Sequence, residues 1–134
     1  MYKILFFLFI ICFSCSCKKT NNIPDTIITD LAIVNTTTPA TQTLGNDITS
    51  TVKCSGSDLC YRFLNFEIKQ IANTKFEVRA KGTCPNAAKG DVICLQAIYY
   101  KDTIFKITPS LKGQYIIQFY NQTSLFKTDT VQVN

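Results

Sequence analysis

The chain begins with an apolar segment and continues as a long region in which apolar and polar residues alternate. Residues 4–13 are uninterrupted apolar sequence, whereas residues 26–134 contain short runs rich in Val, Ile, Thr, Tyr and Phe, separated by turn-forming residues. Alternation with a period of two is typical of strands that bury one face, and no segment keeps the longer period of an amphipathic helix. The sequence therefore predicts an all-β domain.

The clearest predicted hairpin joins residues 61–70 to residues 75–82. Both runs alternate, so each is predicted to be a half-buried strand. The expected apolar faces are Leu64, Phe66 and Ile68 on the first strand and Phe76, Val78 and Ala80 on the second. Further strands are predicted at residues 27–34, 47–54, 92–100, 103–108, 114–121 and 125–133. About eight short strands without crossover helices favour an antiparallel sandwich of two sheets.

The apolar segment at residues 4–13 is too short for a transmembrane helix, since ten residues rise about 15 Å against a hydrocarbon core of about 30 Å. Lys3 precedes the segment, and the cysteine-rich stretch "CFSCSCKK" of residues 12–19 follows it. A basic start, a short apolar stretch and then small residues are typical of a secretory signal peptide.

The steps Ser14-Cys15 and Ser16-Cys17 resemble the lipobox of bacterial lipoproteins, in which a cysteine after a small residue is acylated before the signal is cleaved. The resemblance implies that Cys15 carries the lipid, with Cys17 as the alternative. It also implies a signal peptide at residues 1–14, a lipid-anchored tether at 15–25 and a folded domain at 26–134. An uncleaved signal, or a simple secretory signal without a lipid, is the other interpretation.

Such a lipoprotein is expected in the cell envelope, anchored to the outer membrane and facing the periplasm or the cell surface. Lys18 and Lys19 lie beside the predicted anchor, where they would favour anionic lipid head groups. From Ile23 onward, 11 basic residues stand against 9 acidic residues, and this near balance argues against nucleic acid as a partner.

The segment "PSLKGQYIIQFY", residues 109–120, places Tyr115 at the start of a strand, with Ile117 and Phe119 on the same face. It resembles the tyrosine corner of immunoglobulin-like domains, in which the tyrosine hydroxyl bonds to the backbone upstream. The alternative role for Tyr115 is core packing alone. Ile117 stands where antibody domains have a cysteine, so their inter-sheet disulfide is not implied. The resemblance covers residues 26–133 and implies a small lipoprotein of the Bacteroidota type with an immunoglobulin-like β-sandwich.

Four cysteines follow the predicted signal and tether: Cys54, Cys60, Cys84 and Cys94. In an exported domain they favour two disulfides, and the predicted strand order brings all four to one end. The hairpin register leaves Cys60 and Cys84 neighbours, directly opposed in one register and diagonal in the register that pairs Glu67 with Arg79. We expect Cys60–Cys84 with Cys54–Cys94, and the alternative is Cys54–Cys60 with Cys84–Cys94. No metal site is expected, because four-cysteine zinc sites usually have tighter spacing.

The chain contains no histidine, which excludes the commonest general base and the triad hydrolases. Its two glutamates, Glu67 and Glu77, lie on the predicted solvent face of the hairpin, and no glycine-rich phosphate loop is present. We therefore predict no catalytic residue and no cofactor, and expect a protein that is not an enzyme. The aromatic residues that offer a sugar-stacking surface, or else pack against neighbouring strands, are Tyr61, Tyr99, Tyr100, Phe119 and Tyr120.

Three short motifs, "DTI" twice and "DTV" once, resemble the acceptor site of O-glycosylation in Bacteroidota. The resemblance implies modification at Thr26, Thr103 and Thr130. The alternative is that each motif marks a turn followed by the start of a strand.

The expected function is that of a membrane-anchored, non-catalytic module for binding or for envelope structure. The expected contact surface is the cysteine end, at residues 55–59 and 85–91, because disulfides would hold these loops rigid and lower the ordering cost of binding a protein or a glycan. The alternatives are a protease inhibitor that inserts such loops and a carbohydrate-binding module.

Overall fold

The computed structural model describes residues 24–90 and 92–134. The predicted signal peptide, the lipidation candidates Cys15 and Cys17 and most of the tether lie outside these residues, as does Asp91. The described chain forms eight strands and no α-helix, so the prediction of an all-β domain is confirmed. The elements are β1 (Thr26–Thr37), β2 (Thr41–Gln42), β3 (Ile48–Gly56), β4 (Arg62–Ala72), β5 (Lys75–Pro85), a 3₁₀ helix (Ala87–Lys89), β6 (Tyr99–Ile107), β7 (Gly113–Asn121) and β8 (Ser124–Val133).

One hydrogen-bonded sheet connects all eight strands and curls around the core. Its order is β2-β8-β7-β5-β1-β3-β6, and β4 also pairs with β5. The pairs β2/β8 and β5/β7 are parallel, so the sheet is mixed, whereas the sequence analysis expected antiparallel neighbours. The parallel pair β5/β7 needs no crossover helix, because the chain between them passes through β6, which pairs with β3.

β1 links two parts of the sheet because its two halves pair with different strands. Residues 26–31 pair with β5 and residues 32–37 with β3, and a register shift lies between Ile33 and Asn35. The side chain of Asn121 accepts a hydrogen bond from the Ile33 amide at 2.7 Å and donates one to the Ile33 carbonyl at 3.1 Å. The Asn121 side chain therefore satisfies the amide and carbonyl groups of Ile33, which lie beyond the residues of β1 that pair with β5.

The core lies inside the curl and contains side chains from six strands. Burial alternates most regularly in β3 and β5, as expected for strands with one face inward. The buried apolar residues are Leu31, Ile33, Ile48, Val52, Cys54, Phe76, Val78, Ala80, Phe105, Ile107, Tyr115, Ile117, Phe119, Val131 and Val133.

Tyr115 combines core packing with a specific hydrogen-bonding role. Its ring is almost fully buried, and its hydroxyl accepts hydrogen bonds from the amides of Ser110 and Leu111, at 3.1 and 3.2 Å. The bonding of this hydroxyl to the backbone upstream, expected from the tyrosine-corner pattern, is confirmed as a local feature.

The hairpin of β4 and β5 follows the charge-paired register, in which Glu67 lies opposite Arg79. A register shift between Phe63 and Asn65 interrupts the alternation that the sequence predicts for β4. Phe63 therefore packs against Phe66, with ring centroids 5.1 Å apart, and Leu64 is exposed. Ile68 is also exposed, so the expected apolar face of β4 is only partly covered.

Residues 92–98 do not form a strand, and the prediction of a strand at residues 92–100 is therefore wrong. β6 begins only at Tyr99 and includes most of the predicted strand at residues 103–108. β2 was not predicted, since two residues are too few to show a period.

Candidate functional site

The described chain begins at the same end of the sheet as the loops that contain the cysteines. We call this end, formed by residues 24–25, 56–61, 85–90 and 92–98, the tether end. Pro24 and Asp25 are fixed there by Asn86, whose side-chain amide donates to the Pro24 carbonyl at 3.1 Å and whose backbone amide donates to the Asp25 carbonyl at 2.9 Å. An ion pair between Lys89 and Asp25 strengthens this contact.

One disulfide connects the loops of the tether end. It joins Cys60 to Cys94 across 34 positions of sequence. Cys54, buried in β3, and Cys84, half-buried in β5, are free thiols. Both expected pairings, Cys60–Cys84 with Cys54–Cys94 and Cys54–Cys60 with Cys84–Cys94, are therefore wrong.

Local turn geometry explains why the hairpin register did not predict the partner of Cys60. Cys60 precedes β4 in a turn, where its amide donates to the carboxylate of Asp58 at 2.9 Å. The register shift beyond Phe63 also prevents the pairing of the hairpin from being extended to this end. The Asp58 carboxylate lies near the sulfur atoms of Cys60 and Cys94, but sulfurs bonded to each other are not the thiolates that bind metals.

The two free thiols occupy different surroundings and are far apart. Cys54 lies opposite Ile33 of β1, whereas Cys84 lies opposite Ile27, and six residues of strand correspond to about 20 Å. A disulfide between them is therefore impossible in this fold. Burial raises the pKa of the Cys54 thiol to about 12, with a smaller contribution from the negative charge of Asp102.

Residues 92–98, which we call the apolar loop, are fixed to the tether end at two points. Cys94 is bonded to Cys60, and the carbonyl of Leu95 accepts hydrogen bonds from the amides of Leu59 and Ala97, at 3.2 and 2.8 Å. Its large aliphatic side chains nevertheless point away from the core and are exposed: Val92, Ile93, Leu95 and Ile98. The sequence contained a signal for this difference, because apolar residues here follow one another without the alternation of a strand.

Two open clefts lie at the tether end, on either side of Tyr61. The larger, of about 480 Å³, lies between residues 55–57, where β3 ends, and the turn that joins β7 to β8. The smaller, of about 370 Å³, lies between the disulfide and residues 84–90. Tyr61 packs so closely on Gly56 that a Cβ atom at Gly56 would lie 2.4 Å from its ring. The predicted contact loops, 55–59 and the described part of 85–91, therefore line these clefts.

The larger cleft offers polar groups that suit hydrogen bonding. Its lining includes the hydroxyls of Ser55, Ser57 and Ser124, the amide of Gln122 and the carboxylate of Asp30, whereas the Asn121 amide that also lines it is already bonded to the backbone of Ile33. Asp30 is paired with Lys81, which also contacts Glu67 at 2.9 Å. Hydrogen bonds to these two carboxylates, first Asp30 and then Glu67, raise the pKa of Lys81, so the lysine stays charged.

The other glutamate, Glu77, is also neutralised by a partner. Its carboxylate lies 3.3 Å from the guanidinium of Arg79, which itself stacks over Tyr120 with 4.7 Å from the guanidinium carbon to the ring centroid. Each glutamate of the described chain therefore has a basic partner on the outer surface of the sheet.

The five aromatic residues proposed for sugar stacking do not share one surface. Phe119 is buried in the core, and the hydroxyl of Tyr99 accepts a hydrogen bond from the Phe63 amide at 3.0 Å. Lys53 lies over the ring of Tyr100, at 4.8 Å from its centroid. Only Tyr61 lines the clefts at the tether end.

The three candidate acceptor threonines differ in accessibility. Thr26 and Thr130 are exposed, and Thr103 is half-buried. The aspartate before Thr130 is part of the fold: the buried Asp129 carboxylate accepts hydrogen bonds from Thr36 and Thr38, at 3.0 and 2.7 Å.

No helix within residues 24–90 and 92–134 has the length and apolar character that crossing a bilayer requires. Comparison of the chain with protein-family models, with curated proteins and with solved structures gives no match.

Proposed function

We propose that this protein is a lipid-anchored module of the bacterial cell envelope, which acts by binding or by structural support and not by catalysis. The observation that carries the proposal is the sequence of Ser-Cys steps at Cys15 and Cys17, directly behind a short apolar segment. The attachment of Pro24 and Asp25 at the tether end agrees with it, because a lipid on either cysteine would hold that end near the bilayer.

A fatty-acid labelling experiment tests the anchor. Cells that express the full chain are fed an alkyne-modified fatty acid, and the purified protein is analysed for the label and for intact mass. We expect Cys15→Ser to abolish labelling, or Cys17→Ser to do so if that residue is the acceptor. Cys84→Ser is the matched control and should leave the label unchanged. A mature protein that keeps Met1, or that starts at Ser16 without a lipid, would contradict the proposal.

The non-catalytic role is supported by the side chains that the chain offers. It has no histidine, and the carboxylates of Glu67 and Glu77 are engaged by basic partners. The hydroxyl and amide groups of the larger cleft suit recognition of a protein or glycan surface by hydrogen bonds. Hydrolytic activity that persists in highly purified protein and disappears in Glu67→Gln, Glu77→Gln or Asp91→Asn would overturn this part of the proposal.

We also propose that the domain is a divergent immunoglobulin-like sandwich. The hydrogen bonds of Tyr115 support this relationship, as do the neighbouring strands β1, β3 and β6 and the antiparallel pair β7/β8. The parallel pairing of β5 with β7 is the main departure from that arrangement. An experimental structure tests the proposal. It fails if the strands form one closed barrel and not two facing sheets.

O-glycosylation at Thr26, Thr103 and Thr130 remains a proposal with a direct test. Protein purified from its own host should exceed the mass of the lipidated chain and lose the excess in threonine-to-alanine variants. These variants are preferable to changes of the preceding aspartates, because Asp129 supports the fold through Thr36 and Thr38. An unmodified mass would contradict the proposal.

A further inference from the structure

The apolar loop, residues 92–98, places four large aliphatic side chains in water at one end of the molecule. The exposed fractions are 53% for Val92, 95% for Ile93, 71% for Leu95 and 57% for Ile98. Single exposed aliphatic residues are ordinary on protein surfaces, whereas four of them within seven consecutive residues favour a contact surface. Nothing in residues 24–90 or 92–134 covers these side chains.

The apolar loop is held in place before any partner arrives. The disulfide of Cys94 to Cys60 and the hydrogen bond from the Leu59 amide to the Leu95 carbonyl fix its backbone to the turn before β4. Because its backbone is already ordered, docking of the loop would cost little conformational entropy.

The apolar loop also lies beside the point where the tether joins the domain. Val92 and Cys94 line the same cleft as residues 84–90, and Asn86 within that segment bonds directly to Pro24 and Asp25. From Cys15 to Pro24 the chain covers nine residue steps, which span at most about 32 Å when fully extended. A lipid on Cys15 or Cys17 therefore keeps the loop within a short distance of the bilayer surface.

We infer that the apolar loop docks into the interface of the bilayer that holds the anchor, and so turns the tether end toward the membrane. The inference rests on the proposed lipid anchor and adds an orientation to it. The bilayer is favoured over a second copy of the chain because the tether makes membrane contact intramolecular and raises its effective concentration. The loop contains no charged residue, so the contact is apolar and insensitive to salt.

Tryptophan fluorescence tests this orientation, because the natural chain has no tryptophan. The full-length lipidated variant Ile93→Trp is reconstituted into vesicles of phosphatidylethanolamine and phosphatidylglycerol, with and without bromine on the acyl chains. Leu111→Trp is the matched control, since Leu111 is an exposed aliphatic residue in the turn between β6 and β7 at the opposite end of the sheet. Vesicle flotation is measured on the same samples.

We expect both variants to float with the vesicles. The emission of Trp at position 93 should shift to shorter wavelength and lose intensity with brominated lipids, in low and in high salt, whereas the control should do neither. Flotation without a shift or quenching at position 93 would overturn the docking and leave the anchor intact. A shift without quenching by brominated lipids would indicate contact with another protein copy and would also overturn it. Loss of flotation would overturn the anchor and, with it, the docking.

Discussion

β7 and the apolar loop are both rich in apolar residues, but only β7 buries them. In β7, Tyr115, Ile117 and Phe119 enter the core, and polar or half-buried residues lie between them. The apolar loop has its apolar residues in succession, and its large side chains remain in water. Apolar content alone therefore does not make a strand. A period of two lets one face be buried while the other meets water, and the loop lacks that period.

The largest expected difference between the two segments is in their contribution to stability. Ile117→Ala removes a fully buried side chain from β7 and should lower the free energy of unfolding by about 2–5 kcal/mol. The matched change Ile93→Ala, in the apolar loop, should alter it by no more than about 0.5 kcal/mol. Urea denaturation of both variants measures the two values. Equal losses would mean that the apolar loop is part of the core.

The second expected effect concerns the bond that holds the apolar loop. The double substitution of Cys60 and Cys94 by serine should lower the free energy of unfolding by about 2–4 kcal/mol, because it frees a long loop in the unfolded chain. Cys84→Ser, which removes a free thiol at the same end, should change it little. Urea midpoints under non-reducing conditions give the comparison. If only the Cys84 change were destabilising, the observed pairing would be wrong.

The third expected effect isolates the hydroxyl of Tyr115 at the start of β7. Tyr115→Phe leaves the amides of Ser110 and Leu111 without their acceptor and should cost about 1–2 kcal/mol of unfolding free energy. Tyr100→Phe serves as the control, because Tyr100 is exposed just after the apolar loop. Thermal and urea denaturation should show that Tyr115→Phe is less stable than Tyr100→Phe. Equal stability of the two variants would mean that the hydrogen bonds of the Tyr115 hydroxyl do not stabilise the fold.

The smallest expected effect is a pH dependence of stability. It should come from Cys54, the thiol of the core, and not from Cys84, the thiol near the apolar loop. The pKa of Cys54 is raised from 9.0 to about 12, so the folded state favours the protonated thiol. The free energy of unfolding should therefore fall as the pH rises above 9, by about 1 kcal/mol between pH 9 and pH 10. Cys54→Ala should remove this part of the pH dependence, and Cys84→Ser should retain it. An unchanged slope in Cys54→Ala would contradict the assignment.

The sequence predicted those parts of the fold in which local pattern and burial agree. Six strands lie within three residues of their predicted ends: β1, β3, β4, β5, β7 and β8. Two features depend on contacts between distant residues, which a local period does not encode. They are the hydrogen bonds of Asn121 to β1 and the parallel pairing of β5 with β7. The disulfide was mispredicted because a one-residue shift near Phe63 changes every neighbour beyond it. At the candidate site, residues 57–59 and 86–90 lie outside the strands as predicted, whereas the loop at residues 92–98 and the disulfide differ from the prediction.

The divided pairing of β1 has a consequence for the order in which the protein is made and folded. β1 is the first strand of the described chain to be synthesised, but residues 26–31 pair with β5, which follows only after β3 and β4. Until β5 has been made, residues 26–31 lack the strand with which they pair. Contacts between distant parts of a chain slow folding, so we expect the first half of β1 to be completed only when β5 folds against it.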